Sequence, residues 1–396
     1  MKIFLVCNSL GGGGAERVHV NLANGFAQRG HEVYLIADVN QPASYPVDEQ
    51  VHVLPLCPQS TNKLKKWGGA VSMLRKNIKR YKPDVVIGNM HLCSSVSRLA
   101  AVGTHTPVVM TIHHALESKE YDGFSKSEKF LDRHSPSFYA ATTVLTEADK
   151  EVMNNKYHQK KNIIVMPNPL TFTTIEVTDN GKMVNDQGDV IEKEKIILAA
   201  GRLNDWRYKG WDLLIKAWAL MNGQLTMDNE QFDDQSSALS GWRLQIAGTG
   251  SEEDFAFLKQ LCKENDVEDS VEFLGYRTDM KELYQKASIF CLSSRSEGLP
   301  MVLIEAMSQG CAPVACENLG RTKEIITNEK EGLLFKTADA DDLAKQLLRM
   351  ITDSEYRNNV QLAAAKRSAY YQIDHIVDLW EEMLKIEVSS IVSMNK

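Results

Sequence analysis

Residues 2–37 read KIFLVCNSLGGGGAERVHVNLANGFAQRGHEVYLIA. The apolar run at the start predicts a buried strand, and the four consecutive glycines predict a loop. In the helix predicted next, Val18, Leu22 and Phe26 recur at four-residue spacing and so share one face. Gly30 ends that helix, and a second apolar run follows it. The stretch is typical of a β–α–β unit in a parallel sheet.

The same alternation of apolar strands and helical patterns continues along the chain. Further strands are predicted at 84–88, 108–111, 142–146, 163–166, 195–200, 243–247, 271–274, 288–293 and 312–315. Polar stretches at 171–193 and 222–241 interrupt the pattern, and we interpret them as a domain connection and a surface loop. The sequence therefore predicts an α/β protein with Rossmann-like domains at 1–170 and 194–370. A last helix at 371–396 has an apolar stripe and is expected to pack back on the first domain.

The composition is that of a folded protein, because 43% of its 396 residues are hydrophobic and 24% are charged. No apolar run approaches the ~18 residues that a transmembrane helix needs. The first run is too short for a signal peptide and lacks a cleavage-type end, so a buried first strand explains it better. The seven cysteines are scattered without metal-ligand spacing, which favours reduced thiols in the core of a cytoplasmic protein.

Charge is unevenly distributed around the net value of −7. Residues 1–170 hold 20 Lys and Arg against 14 Asp and Glu, and residues 171–396 hold 25 against 38. Eight of the basic residues lie between Lys63 and Lys82, with no acid among them. The same stretch carries an apolar stripe: Leu64, Trp67, Val71, Leu74, Ile78 and Tyr81. It is either a core-packed helix with a solvated face or an element that contacts an anionic membrane leaflet.

The segment at 293–307, SSRSEGLPMVLIEAM, follows a predicted strand and opens a helix near Pro300. The first N–H groups of such a helix, at the carboxyl end of a strand, bind phosphates. Glu297 lies in the loop and Glu305 in the helix, where they would hold hydroxyl groups of a nucleotide sugar or remain ordinary surface acids. The backbone that would meet the diphosphate is that of Gly298, Leu299, Pro300, Met301 and Val302, with an N–H donor at each of these residues except Pro300.

Three other loops follow strands of the same predicted domain. The loop at 200–210, AGRLNDWRYKG, carries Arg202 and Lys209, which suit a diphosphate leaving group unless they are solvated surface charges. Gly248 follows one strand, and Tyr276 with Arg277 follows the next. Loops at the carboxyl ends of parallel strands share one edge of the sheet, so together they predict the rim of a pocket.

The glycine-rich loop of the first unit is not a dinucleotide fingerprint. Counted from Gly11 or Gly12, the third glycine of G-x-G-x-x-G falls on Glu16 or Arg17. The chain also lacks the Gly-Lys-Ser/Thr of a P-loop. Dinucleotide binding and ATP hydrolysis therefore have no support, although the glycines permit close approach of the backbone to a ligand.

On these residues the chain resembles the family-4 retaining glycosyltransferases of GT-B fold, in particular bacterial enzymes that extend lipid-linked oligosaccharides, capsule or lipopolysaccharide. The resemblance covers nearly the whole length. It rests on GGAER at 13–17 with NLA at 21–23, RGHEV at 29–33, KPDVV at 82–86, VMPNP at 165–169, GRL at 201–203 with KG at 209–210, and Glu297-x7-Glu305 leading to Gly310-x2-Pro313-Val314. It implies two Rossmann-like domains whose parallel sheets face each other across a cleft.

The resemblance also assigns roles in the second domain. Arg202 and Lys209 are similar to the clamp on the donor diphosphate. Glu305 is similar to the carboxylate that holds the ribose hydroxyls. Glu297, with the backbone at 298–302, is similar to the contact with the transferred sugar and the phosphates.

In the first domain, Gly13 and Gly14 are similar to the loop that closes over the reaction centre. His113 matches the histidine that lies near the donor sugar and the acceptor. His114 occupies a position where the family often has Asp or Gly, which leaves open which histidine points inward and whether one of them only caps the strand end.

The expected function is transfer of a hexose or N-acetylhexosamine, with retention, from a nucleotide sugar (UDP as first choice) to a glycan or polyprenyl-linked acceptor. No cofactor, metal or nucleic acid is expected, because two cations can replace a metal, no D-x-D metal triad is evident, and Asp233-Asp234 in the insertion is not placed for one. The protein would be cytoplasmic and peripheral at the inner face of the membrane. A nucleotide-sugar 2-epimerase and a non-catalytic binding subunit are the alternatives. Sugar, linkage and oligomeric state are not encoded in these motifs.

Overall fold

A computed structural model describes residues 1–11, 14–39, 43–57, 62–117, 125–159, 162–223, 239–318 and 321–394. The chain divides into two compact units. The first consists of Met1–Thr171 and Ile373–Lys396, and the second of Phe172–Gln372. All of the long strands belong to parallel sheets, one in each unit, so the predicted α/β class is confirmed.

The first unit contains a seven-stranded parallel sheet in the order β3-β2-β1-β4-β5-β6-β7. Its strands are β1 (Lys2–Ser9), β2 (Glu32–Asp38), β3 (His52–Pro55), β4 (Val85–Asn89), β5 (Val108–Thr111), β6 (Ala141–Val144) and β7 (Ile163–Val165). Its helices up to this point are α1 (Gly14–Gln28), α2 (Lys63–Tyr81), α3 (Met90–Ala101), α4 (Lys126–His134) and α5 (Glu147–Glu151).

Successive residues of a strand point to opposite faces of the sheet, and both faces of this sheet are covered. Leu5 lies in one hydrophobic cluster with Phe26 of α1, and Val6 lies in another with Leu74 and Ile78 of α2. The described residues of the apolar stripe therefore face the core, as in an ordinary packed helix. Most of the basic side chains of α2 stay exposed or half-buried, and their contact with an anionic membrane leaflet stays a prediction.

The second unit contains a six-stranded parallel sheet in the order β12-β11-β10-β13-β14-β15. The strands of this sheet are β10 (Glu194–Ala200), β11 (Arg243–Ala247), β12 (Val271–Gly275), β13 (Ala287–Leu292), β14 (Ala312–Cys316) and β15 (Leu333–Phe335). Two short strands that precede it in the chain, β8 (Glu176–Val177) and β9 (Met183–Val184), form a separate antiparallel hairpin. Its helices are α6 (Trp206–Lys209), α7 (Trp211–Met221), α8 (Glu252–Glu264), α9 (Met280–Lys286), α10 (Met301–Ser308), α11 (Arg321–Ile325), α12 (Ala340–Thr352) and α13 (Ser354–Ser368).

The last helix, α14 (Ile373–Met394), belongs to the first unit and packs on α1. A Cβ built on Gly25 of α1 would lie 2.8 Å from Val377, so glycine permits this close helix contact. At the exposed edge of this helix contact, the Arg29 guanidinium donates to the Asp378 carboxylate at 2.8 Å. Trp380 completes the apolar stripe and is buried with α1 in the same cluster.

The structure differs from the sequence expectations in a few elements. The stretch at 171–193 contains the β8–β9 hairpin rather than a plain connection, and β3 and β15 were not predicted. Most of the insertion at 222–241 lies outside the described residues. All seven cysteines are described, and each is buried with a free thiol. None of the described helices is long and apolar enough to cross a membrane.

Candidate active site

The strand order of the second unit places two predicted donor loops side by side. β10 and β13 are neighbours, whereas β11 and β12 continue the sheet on one side and β14 and β15 on the other. Open parallel sheets bind ligands beyond the carboxyl ends of their strands at such a switch point. The loop at 201–210 follows β10 and the loop at 293–300 follows β13, so both loops reach this position.

Lys209 and Glu297, one from each loop, form an ion pair. Lys209 Nζ lies 2.8 Å from Glu297 Oε1, and the two side chains are only 15% and 12% exposed. The Ser293 hydroxyl donates to the Lys209 carbonyl at 2.8 Å. Gly210 has a φ of +69°, and a Cβ there would lie 2.1 Å from the Ser293 carbonyl oxygen. Only glycine fits at this point, and the close packing of the two backbones holds the ion pair in place.

Arg295 joins the same two loops a second time, a role that no sequence pattern predicted. Its guanidinium donates to both carboxylate oxygens of Asp212, at 2.8 and 2.7 Å, and to the Arg207 carbonyl. Its backbone N–H donates to the Tyr208 carbonyl at 2.8 Å. Bidentate pairing fixes the orientation of a guanidinium. Arg295 therefore stabilises the geometry around the Lys209–Glu297 pair.

Arg202 lies on the same loop as Lys209 but is far more accessible. Its side chain is 63% exposed and pairs with Asp205 at 2.8 Å. Its backbone is held by Trp211, whose indole N–H donates to the Arg202 carbonyl at 3.1 Å. The surface-charge interpretation thus remains compatible with Arg202, whereas it does not fit the largely buried Lys209. A phosphate that approached either cation would compete with a carboxylate.

Gly248 lies where three loop backbones meet. The Gly201 N–H donates to the Ala247 carbonyl at 2.9 Å, and the Gly248 N–H donates to the Gly275 carbonyl at 2.9 Å. A Cβ on Gly248 would lie 1.8 Å from the Gly201 carbonyl oxygen. The carboxyl ends of β10, β11 and β12 are therefore joined into one rim, as the sequence predicted.

Tyr276 and Arg277 extend this rim. Tyr276 is 74% exposed, so its ring is open to a partner. Arg277 donates to Asp279 through Nε at 2.8 Å, and this hydrogen bond raises the pKa of the guanidinium. Both residues lie after β12, which β11 and β10 separate from β13 in the sheet.

The amino terminus of α10 faces the same edge of the sheet. Pro300 is the N-cap, and its carbonyl accepts from the Leu303 N–H at 3.0 Å. Glu305, inside the helix, is 3% exposed. Asn318 donates to the Glu297 carbonyl at 3.2 Å and fixes the loop before the helix. Neither Glu297 nor Glu305 is an exposed surface acid, and their contact with hydroxyl groups of a nucleotide sugar stays a prediction.

The two neighbouring histidines of the first unit have different partners. His113 Nδ1 lies 3.0 Å from Asn168 Oδ1, and His114 Nε2 lies 3.1 Å from Asp132 Oδ2. Burial lowers the pKa of His113 to about 4, against the hydrogen bond with Asn168 that raises it. The His113 ring also lies edge-on to the ring of His19, with centroids 5.6 Å apart. Burial likewise lowers the pKa of His19 to about 3.

Asp132 is fully buried between two histidines. His91 Nε2 lies 2.5 Å from Asp132 Oδ1, opposite the contact with His114. Burial would raise the pKa of Asp132, but the hydrogen bonds from His114 and His91 lower it below its usual range. These atom types are also metal ligands. The 2.5 Å contact matches a hydrogen bond, however, since two ligands of a tetrahedral zinc lie about 3.3 Å apart.

Two remaining expectations concern loops. Gly13 lies outside the described residues, and Gly14 is the exposed first residue of α1 with no atom within 4 Å of a built Cβ. A D-x-D spacing does occur at 339–341. There the Asp339 carboxylate caps α12 by accepting from the Asp342 N–H at 2.9 Å.

Comparison with known proteins identifies the family. The family model described as Glycosyltransferase Family 4 matches residues 12–171, and the one described as Glycosyl transferases group 1 matches residues 184–367. Together they cover most of the chain. The chain belongs to the glycosyltransferases. The predicted family resemblance is therefore confirmed, and each match falls largely within one of the two units.

Relatives along the full length agree with this assignment. The chain is 28% identical over 386 residues to an uncharacterised glycosyltransferase of Haemophilus influenzae, covering 96% of this chain and 99% of that protein. It is 28% identical over 396 residues to a Campylobacter jejuni alpha-1,4-N-acetyl-D-galactosaminyltransferase named for an undecaprenol-diphosphate-linked glycan, covering 97% and 98%. Among solved structures, Anabaena HepE in complex with UDP and glucose matches with a TM-score of 0.71 at 18% identity, covering 97% and 99%. The last match supports the GT-B fold.

Proposed function

We propose that this glycosyltransferase moves a hexose or N-acetylhexosamine from a UDP-sugar to a glycan or polyprenyl-diphosphate-linked oligosaccharide, with retention of configuration. The observation that carries the proposal is the buried Lys209–Glu297 pair beside the amino terminus of α10 at the switch point of the second unit. The substrate in the name of the Campylobacter relative supports the acceptor class, and the UDP bound in Anabaena HepE supports the choice of nucleotide.

The donor diphosphate binds where positive groups converge. Lys209 offers three N–H donors, and its side chain is only 15% exposed. The first backbone N–H groups of α10 have no hydrogen-bond partners inside the helix. Arg202 supplies a second cation at the open side of the loop. Such groups stabilise the charge that develops on the leaving diphosphate more strongly than water does. Glu297 and Glu305 then accept from hydroxyl groups of the sugar and the ribose.

The reaction breaks the bond between the sugar C1 and the diphosphate oxygen and forms a bond from C1 to the acceptor oxygen. The proton of the acceptor hydroxyl moves to an oxygen of the departing diphosphate. Attack occurs on the face that the diphosphate leaves, so the configuration is retained. The chain's own residues hold the diphosphate and orient the sugar; His113, neutral at physiological pH, accepts from a sugar hydroxyl.

Transfer proceeds without a metal, cofactor or nucleic acid in this proposal. Arg202, Lys209 and the helix amides supply the positive charge that a divalent ion supplies elsewhere. The D-x-D spacing at 339–341 caps a helix and is used structurally. Chelation with EDTA is therefore expected to leave the rate unchanged, and a rate restored only by Mg²⁺ or Mn²⁺ would contradict this part of the proposal.

The protein is proposed to be cytoplasmic and peripheral at the inner membrane face, attached through the exposed basic residues of α2. Each Lys or Arg near an anionic leaflet contributes about 1 kcal/mol. Because the apolar stripe of α2 is in the core, attachment is electrostatic and should weaken as salt rises. Co-sedimentation with vesicles containing anionic lipid, at low and high salt, tests this. Equal binding to neutral vesicles would contradict it.

The clamp is tested by Lys209→Met, with Lys216→Met as the matched control because Lys216 is exposed on α7. We expect Lys209→Met to lower kcat by about 10²–10³-fold, the range found when one charge-stabilising donor is removed. Because Lys209→Met leaves the Glu297 carboxylate unpaired, its Tm is measured beside kcat, and the two values separate lost stability from lost catalysis. Turnover equal to that of the control would refute the clamp.

Substrate class is tested by thermal shift with a panel of nucleotide sugars, followed by product analysis. A true donor at 100 times its Kd stabilises the folded state by about 2.7 kcal/mol. NMR of the product then reads the anomeric configuration, and inversion would refute the retaining mechanism. Incubation with the nucleotide sugar alone addresses the epimerase alternative, because an epimerase forms the epimer without an acceptor.

A further inference from the structure

Asn168 holds the ring of His113 from one side. Asn168 is 7% exposed and lies shortly after β7, and His113 lies shortly after β5. The contact between Asn168 Oδ1 and His113 Nδ1 is 3.0 Å. On the other side, the His113 backbone N–H donates to Met90 Sδ at 3.3 Å. Both the ring and the backbone of His113 are therefore fixed within the first unit.

The Asn168 contact decides which nitrogen of His113 carries its proton. With a pKa of about 4, His113 is neutral at physiological pH and has one N–H. An amide oxygen only accepts hydrogen bonds, so the proton must be on Nδ1. Nε2 then carries a lone pair and no proton, so it can only accept a hydrogen bond.

His113 Nε2 is buried and has no hydrogen-bond partner among the residues that the structure describes. The nearby His19 cannot supply one through its own Nε2. Its Nδ1 lies 3.3 Å from the Ala15 carbonyl, which only accepts, so the proton of the neutral His19 ring is on Nδ1. A buried acceptor without a donor is unfavourable, and a ligand hydroxyl would satisfy it.

We propose that Asn168 is the positioning residue of His113: it accepts the Nδ1–H and so presents Nε2 as an acceptor for a hydroxyl group of the sugar substrate. The presence of a sugar rests on the proposed function, whereas the position of the proton does not. Asn168 acts through His113 and makes no contact with substrate itself. Among the described residues, the titratable groups that neighbour His113 are His19 of α1 and the adjacent His114.

The position of the proton is measured by NMR on protein labelled with ¹⁵N-histidine. The His113 signal is assigned by its loss in His113→Gln. We expect the wild type to show the Nδ1–H form at pH 7. The isosteric Asn168→Asp places a carboxylate against the ring and should raise the titration midpoint of His113 by about one to three pH units. Asn77→Asp adds the same charge on α2 and should leave the midpoint unchanged.

Kinetics provide the second measurement. Asn168→Ala should lower kcat/KM by about ten- to a hundred-fold, and Asn168→Asp should move the acid limb of the pH profile upward with the His113 midpoint. A purely structural role would lower thermal stability without moving the pH profile. An Nε2–H form in the wild type, or an Asn168→Asp midpoint equal to that of Asn77→Asp, overturns the proposal.

The two proposals fail in different ways. An Nδ1–H ring in a protein that transfers no sugar would refute the proposed function and leave the positioning of His113 intact. An active transferase with an Nε2–H ring would refute the positioning alone. If Asn168→Ala does not fold, Asn168→Asp preserves the side-chain shape and still reports both the midpoint and the pH profile.

Discussion

Acid should destabilise the first unit, because this unit buries two histidines in the neutral form. Burial lowers the pKa of His19 to about 3 and that of His113 to about 4, from 6.5 for an ordinary histidine. As the pH falls below about 6.5, the unfolded chain takes up a proton at each site while the folded chain does not. Their stabilising effect is therefore fully present above pH 6.5 and is lost as the pH falls toward 4 and 3.

The size of the effect follows from the same pKa values. Between pH 7.5 and 5.0, each histidine lowers the free energy of unfolding by about 2 kcal/mol, or about 4 kcal/mol for both. His19→Gln removes one of the two titrating groups. The variant should therefore lose about 2 kcal/mol less than the wild type over this pH interval, whatever its stability at pH 7.5.

The assay is urea unfolding at pH 7.5 and 5.0, with His52→Gln as the control because His52 is exposed on β3. The wild type and the control should lose the same free energy between the two pH values, and His19→Gln should lose about half of the histidine contribution. Identical losses for the wild type and His19→Gln would show that His19 is not held neutral in the folded protein.

Three other changes have defined outcomes. Gly248→Ala places a Cβ 1.8 Å from a carbonyl oxygen of the neighbouring loop and should lower both Tm and donor affinity. The control Gly68→Ala, whose Cβ has no atom within 4 Å, should keep or raise Tm. Equal effects of the two substitutions would refute the clash. Arg295→Lys loses the bidentate contact with Asp212 and should lower the free energy of urea unfolding by about 1–3 kcal/mol; an unchanged midpoint would mean that the pair contributes nothing. Asp132 has a lowered pKa, so its stabilising effect is present above about pH 4 and lost as the pH falls through its folded pKa. Asp132→Asn should be destabilising at pH 7 and progressively less so as the pH falls below about 4, and a pH-independent difference would contradict this.

The main strands could be predicted because strands in a parallel sheet are buried on both faces and therefore read as continuous apolar runs. β4 and β13 are buried at every position and were predicted to within a residue or two. β3 lies at the sheet edge with mostly exposed residues, and β15 has only three residues, so neither produces a clear pattern. The strands of the β8–β9 hairpin have two residues each and are not buried, so they too produce no clear apolar pattern in the sequence.

Positions of site residues were more predictable than their partners. The loop after each strand placed Lys209 and Glu297 at one edge of the sheet, since that follows from the parallel arrangement. The pairing of Arg295 with Asp212 joins residues far apart in sequence and has no local signal. His113 could not be distinguished from its neighbour in the sequence, because its ring is oriented by contacts with residues distant in the chain, among them Asn168 and His19.

The ion pair between Lys209 and Glu297 has a consequence for how ligands compete at this site. A nucleoside diphosphate that draws Lys209 away leaves behind a carboxylate that is 12% exposed and has lost its cation. In the proposed function, an intact nucleotide sugar would meet both requirements, because its phosphates would bind the lysine while its hydroxyls would replace the lysine at the carboxylate. The nucleoside diphosphate product would then bind less tightly than the donor, and this difference would favour turnover.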